Sequence, residues 1–174
     1  QYSWFLLRLR SLFTAARQSA IYGNKSLLMT VISFLAPEDQ AQALAIEQRC
    51  HAFPWSAETF AGNQGERFLN YRIDADGKMA GFAITQIVLD EASLFNIAID
   101  PDFQRRGFAR RLLETLAEEL AARGVLTLWL EVRESNLPAI ALYEQLGFNQ
   151  VSRRPRYYPT PSGREDALIM ALVL

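Results

Sequence analysis

From Met29 onward, apolar positions alternate between strand-like and helix-like periods. Thr30–Leu35 alternates as a strand. Pro37-Glu38-Asp39 then opens a helix, with proline and acids in its first turn, and Ala43, Leu44, Ile46 and Glu47 carry it to about Arg49. Ser56 can cap a short helix running to Phe60. The spacing predicts a strand over 67–73, a tight turn at Asp74-Ala75-Asp76-Gly77 and a return strand over 78–88. Ser93–Ile99 is the next strand, ended by Asp100-Pro101.

The clearest helix follows. Ala109, Leu112, Leu113, Leu116, Ala117 and Leu120 form one apolar stripe, with Gly124 as its stop. Val125–Val132 is apolar enough to be a strand buried on both faces. Ser135-Asn136 caps a helix with Pro138 in its first turn, stopped by Gly147. Phe148–Ser152 and Asp166–Val173 pair as final strands around an aromatic, proline-rich loop. The predicted order is βααβββαβαββ, a mixed α/β (α+β) domain of about seven strands and about four helices. The strand–helix–strand unit near residues 93–132 implies parallel neighbours in the middle of the sheet.

Composition narrows the classes. Half of the 174 residues are apolar and 21% charged, as in globular domains rather than disordered chains. The single cysteine, Cys50, excludes an intramolecular disulfide and fits a reducing, cytoplasmic setting. With only one histidine, His51, no His/Cys zinc site can form, so no metal is expected. No apolar run is long enough to suggest a membrane span, and a net charge of −1 gives no general attraction to nucleic acid. The charge is uneven. Residues 1–28 hold Arg8, Arg10, Arg17 and Lys25 and no acid, so the 18 basic residues leave 14 against 19 acids beyond them. This basic, apolar extension reads as lying outside a domain that spans 29–174; docking of 1–28 on a membrane or protein is the alternative.

Gln104-Arg105-Arg106-Gly107-Phe108-Ala109 joins the strand over 93–99 to the long helix. A glycine permits a tight turn, and the helix start offers unpaired N–H groups and a positive dipole end, which suits a pyrophosphate. Arg105, Arg106, Arg110 and Arg111 cluster there, with no acid between Asp102 and Glu114. Neither a Walker loop nor a GxGxxG fingerprint is present.

Gln-x-x-Gly-x-Ala after a strand ending in Asp-Pro resembles the acetyl-coenzyme A signature of Gcn5-related N-acetyltransferases. Glu131-Val132-Arg133-Glu134-Ser135-Asn136 and the segment from Ala139 through Tyr143 to Gly147-Phe148 match in order and spacing. The resemblance covers roughly residues 30–174 and implies that family's fold. Within the family, the chain is similar to the bacterial ribosomal-protein-alanine N-acetyltransferases. It shares Ala52-Phe53-Pro54-Trp55-Ser56, Gly62-Asn63-Gln64-Gly65-Glu66-Arg67, Leu128-Trp129-Leu130-Glu131-Val132 and Tyr157-Tyr158-Pro159. That branch acetylates the N-terminal alanine of the eighteenth protein of the small ribosomal subunit. The resemblance therefore implies acetyl-CoA as co-substrate and a ribosomal protein's N-terminal peptide as partner. Neither nucleic acid nor a membrane is expected as a partner, and a monomer or weak dimer is.

It also implies roles. Glu131, an acid in an apolar strand beside Trp129, aligns with the family's base; on position alone it could equally lie near the strand end and pair with an arginine. Tyr143 aligns with the acid that reprotonates the sulfur; on position alone it could be core. The pantetheine arm is expected along the backbone of Ile97, Ala98 and Ile99. A bulge there would open the slot it needs. Arg105, Arg106, Gly107, Phe108, Ala109 and Arg110 are expected at the pyrophosphate, and Asn136 is either a cofactor contact or simply the helix cap. Phe53, Pro54, Trp55, Tyr157 and Tyr158 are expected in loops beside the acceptor peptide, with packing against the core as the alternative. Cys50 and His51 read as structural. Two rival functions remain: acetylation of a small amine, such as a polyamine or antibiotic, and a non-catalytic module that senses acyl-coenzyme A.

Overall fold

A computed structural model describes residues 19–23 and 26–174, with side chains from Met29 onward. Eight strands form one sheet: β1 Ser19–Gly23, β2 Ser26–Phe34, β3 Tyr71–Ala75, β4 Lys78–Val88, β5 Glu91–Ile99, β6 Thr127–Arg133, β7 Asn149–Thr160 and β8 Gly163–Val173. Among the described residues four α-helices complete it: α1 Gln40–Cys50, α2 Ala57–Gly62, α3 Phe108–Ala122 and α4 Leu137–Gln145, with short 3-10 turns at Pro37–Asp39 and Pro101–Phe103. Strand order is β1-β2-β3-β4-β5-β6-β8-β7, antiparallel everywhere except the central β5–β6 pair. The domain boundary expected at Met29 falls inside β2, and β1 pairs along its edge. Residues 1–18 of the basic extension lie outside the described residues.

Helices cover both faces, which is why β4 is buried almost throughout. Ala43 and Ile46 of α1 and Phe60 of α2 pack with Phe82, Ile84 and Ala98. The α3 stripe, Leu112, Leu113, Leu116 and Leu120, packs with Ile73, Leu128 and Tyr143 in the larger core. The hairpin turn sits one residue later than the centre of the expected tetrapeptide. Ala75 pairs with Lys78, and Asp76 and Gly77 both have positive φ, 49° and 80°, as a two-residue turn of twisted strands requires.

The sheet is opened by two linked features. The β4–β5 register shifts so that Ile84 faces Asn96 and Thr85 faces Leu94, leaving Phe95 as a bulge. The parallel β5–β6 pairing then stops at Leu94–Leu130. Beyond that point the two strands diverge, and the rest of each lines a cleft.

The final strands differ from the expected pattern. Tyr157-Tyr158-Pro159 lies on β7, not in a loop. Between the pairs Arg154–Ala167 and Tyr158–Glu165, three β7 residues stand opposite Asp166 alone. Asp166 stabilises this bulge by accepting hydrogen bonds from the Arg156 N–H at 2.9 Å and from Arg153 at 3.0 Å. A proline on an edge strand costs no ladder hydrogen bond, so Pro155 and Pro159 are tolerated there although they read as loop residues.

Candidate active site

Two clefts meet in the gap between β5 and β6. The first, about 380 Å³, is bounded by β5, the loop before α3, and α4. The second, about 690 Å³, is bounded by the end of α1, the loop after it, β6 and the β7–β8 hairpin. Ile97, Asn136 and Tyr143 line both.

The first cleft combines main chain and apolar side chains with the polar Gln104, Arg105, Arg110, Asn136 and Tyr143. Gly107 adopts the left-handed conformation (φ 78°, ψ 15°), and Arg105 also has positive φ, 62°. Alternation of this kind turns successive N–H groups inward as an anion nest. A Cβ on Gly107 would meet nothing within 4 Å, so conformation rather than crowding requires glycine. No side chain among the described residues caps α3, which leaves its first N–H groups available to a ligand. Gln104 braces the loop by donating to the Ile99 carbonyl at 2.9 Å. Gly81 lets β4 approach β5, since a Cβ there would lie 2.6 Å from the Ala98 carbonyl oxygen.

Of the expected cofactor residues, Ile97, Ala98, Ile99, Arg105, Gly107, Phe108, Ala109, Arg110 and Asn136 all line this cleft. Arg106 does not; its guanidinium lies over the Phe103 ring at 5.6 Å. Arg111, part of the basic cluster in the sequence, is directed to the Thr30 hydroxyl on β2. Asn136 caps α4, accepting from the Ala139 N–H, and lines both clefts as well.

The second cleft is built from side chains. Phe53, Trp55 and Tyr158 line it, whereas Pro54 and Tyr157 do not. Arg133 holds its walls together. Its guanidinium lies 5.7 Å from the Phe53 ring and 4.6 Å from the Tyr158 ring. It donates to the Pro159 carbonyl at 2.8 Å and to Glu165 at 3.0 Å. One arginine thus joins the loop after α1 to the β7–β8 hairpin.

Glu131 also lines this cleft, with 29% of its side chain exposed. It is half-buried rather than enclosed, and Arg154 lies 3.1 Å from its Oε1. The pairing with an arginine that position alone allowed is therefore present, and Oε2 keeps no partner among the described residues. Tyr143 is 6% exposed, and its phenol is pushed up to about 12, first by burial and then by Tyr158. Among the described residues its hydroxyl has no hydrogen-bond partner. Thr85 carries the one side-chain oxygen there that is both buried and unbonded, so the Tyr143 hydroxyl opens into the clefts. A buried phenol of this kind stays protonated at neutral pH and can give a proton to a strong base.

Cys50 donates to the Ile99 carbonyl at 3.1 Å, and its thiol is pushed up to about 11, first by burial and then by Asp100 and Glu47. It is a protonated thiol rather than a nucleophile. Sequence reasoning missed Glu47, Asn96, Arg133 and Glu165 as cleft residues. Glu47 left a trace: it falls on the buried stripe with Ala43 and Ile46, where an acid is costly without a purpose.

The model of the acetyltransferase (GNAT) family matches residues 32–148, more than half of the chain. The chain belongs to this family. A curated relative from Salmonella typhimurium, ribosomal protein bS18-alanine N-acetyltransferase, is 66% identical over 144 residues, covering 83% of this chain and 97% of its own length. The crystal structure of the ribosomal-protein-S18-alanine N-acetyltransferase from Escherichia coli is similar at TM-score 0.82 and 65% identity, covering 83% of this chain and 94% of that one. NAA60 of Arabidopsis thaliana, solved in complex with acetyl-CoA, shares the fold at TM-score 0.75 and 18% identity, over 83% and 98% of the two chains. GNAT enzymes use acetyl-CoA. The nest at Arg105–Gly107, the uncapped start of α3 and the strand edge freed by divergence fit its pyrophosphate and its extended arm.

Proposed function

We propose that this chain, in the cytoplasm, acetylates the free N-terminal amine of a protein, an alanine of the eighteenth protein of the small ribosomal subunit. The observation that carries this reading is the meeting of two clefts at the open hydroxyl of Tyr143, in a chain 66% identical to an enzyme named for that reaction.

Acetyl-CoA supplies the acetyl thioester. The α3 start and the loop at Gly107 hold its pyrophosphate, and the free edge of β5 from Ile97 to Ile99 receives the arm by backbone hydrogen bonds. The acceptor enters by the other cleft, between the Phe53–Trp55 loop and Tyr158. Its α-amine, with an ordinary pKa near ~8, is roughly a tenth neutral at pH 7. Glu131 Oε2 takes the proton from that nitrogen, directly or through water, as the carbon–nitrogen bond forms. Tyr143 gives its phenolic proton to the sulfur as the carbon–sulfur bond breaks. Cys50, held as a thiol, has no part, so transfer is direct and passes through no acyl-enzyme.

A small polyamine would favour an acidic pocket with unpaired carboxylates. Three carboxylates line the acceptor cleft, but each already has a partner: Glu131 with Arg154, Glu165 with Arg133, and Glu47 with Asn96. Thiol release from acetyl-CoA is the test. The acceptors are a hexapeptide starting with alanine, a lysine peptide blocked at its N-terminus, and spermidine. Turnover on the alanine peptide, lost in Glu131→Gln and Tyr143→Phe, is expected. Turnover on spermidine alone would overturn the peptide reading, and tight acetyl-CoA binding without turnover would point to a sensor.

A further inference from the structure

Glu47 is a buried carboxylate that the proposed chemistry leaves unused. It is 1% exposed, on the α1 face that packs against the sheet. Its Oε2 accepts from Asn96 Nδ2 at 2.5 Å, and its Oε1 lies 3.6 Å from His51 Nε2. Burying a carboxylate this deeply costs stability unless the charge has a purpose.

Asn96 supplies one. It follows the Phe95 bulge on β5, just past the last β5–β6 pair, and it lines the acceptor cleft together with Glu131. A carboxylate can only accept hydrogen bonds, so Glu47 fixes which way round the Asn96 amide sits: nitrogen toward Glu47, oxygen away from it. That oxygen has no hydrogen-bond partner among the described residues, and it is not among their buried unbonded atoms, so it is open to the cleft.

We infer that Asn96 Oδ1 is a binding group for the acceptor's amine and that Glu47 is the positioning residue that aims it. This rests on the proposed peptide reaction and adds a second acceptor to it. An amine nitrogen carries more than one N–H. Glu131 takes the proton that leaves, and Asn96 accepts a hydrogen bond from another, which orients the nitrogen lone pair toward the thioester. The bulge at Phe95 therefore has a second consequence besides opening the slot: it brings Asn96 into register with the acceptor.

The test is steady-state kinetics of the whole chain with acetyl-CoA and the alanine hexapeptide. Asn96→Leu, which keeps the branched shape without the polar atoms, is expected to raise the peptide KM roughly tenfold or more, the scale of a lost hydrogen bond to a polar or charged group. The KM for acetyl-CoA should stay within about twofold. Glu47→Gln can present either end of its amide to Asn96, so it should raise the peptide KM by a smaller factor. The double variant should be no worse than Asn96→Leu alone, because Glu47 acts only through Asn96. Acetyl-CoA affinity measured by calorimetry reports whether each variant is folded, and Asn96→Ser replaces Asn96→Leu if the latter fails. An unchanged peptide KM in the Asn96 variants, or equal rises in both KM values, would overturn the inference while leaving the peptide reaction standing. Failure of the unaltered chain to turn over the alanine peptide would overturn both.

Discussion

The two clefts share three residues yet are held in different ways. The first is shaped chiefly by backbone: a strand edge, a left-handed glycine and an uncapped helix start. The second is braced by side chains joined across the chain. Arg133 meets Glu165, Arg154 meets Glu131, and Arg153 meets both Glu134 and Asp166. Main-chain groups offer the same donors and acceptors whatever the side chains, apart from the glycine that a positive φ favours. Walls of paired side chains change with each residue that forms them, and removing one partner leaves the other unpaired.

Where the regions meet, the largest effect is expected. Tyr143→Phe should lower kcat by about 10²–10⁴-fold, the usual range for a general acid, with both KM values nearly unchanged in steady-state assays. A loss confined to one KM would make Tyr143 part of one wall rather than the junction.

Next comes the backbone side. Gly107→Val forces a β-branched residue to a φ of 78°, a cost of about 1–3 kcal/mol. Acetyl-CoA affinity by calorimetry should fall about 5- to 100-fold, and the peptide KM should not move. Parallel loss in both would break the division between the clefts.

Arg133→Lys probes the other side. It keeps the charge but loses the planar stack on Phe53 and Tyr158 and the forked contacts. The peptide KM should rise about three- to tenfold, with acetyl-CoA affinity constant. Gly81→Ala asks whether β5 has room to spare. Its new Cβ would meet the Ala98 carbonyl oxygen, so a melting temperature about 3–10 °C lower is expected.

The smallest effect is read by titration. Tyr71, Tyr143 and Tyr158 are each raised to about 12, with burial the largest cause. Unfolded tyrosine titrates near ~10, so between these values the folded chain holds more protons than the unfolded one. Stability should therefore be intact below about pH 10 and decline toward pH 12. Thermal melts of Tyr143→Phe over that range should show a shallower decline.

Features that depend on neighbours in the chain were legible in the sequence. The α3 stripe, its Gly124 stop, the Asp76-Gly77 turn and the phosphate loop each follow from a period or a φ requirement spanning a few residues. The residues expected at the cofactor line the first cleft together, except Arg106, whose direction depends on the Phe103 ring. Tertiary structure alone decided the rest. Phe95 bulges because of its register against β4, and Tyr158 lines the second cleft next to a bulge that Asp166 holds. Asn96 has its orientation from a helix 49 positions away, and Arg133 finds Glu165 32 positions on. Local periodicity carries no record of which distant side chain completes a hydrogen bond, so the chain alone determined the fold and the loop at Gly107, while packing decided the walls of the second cleft.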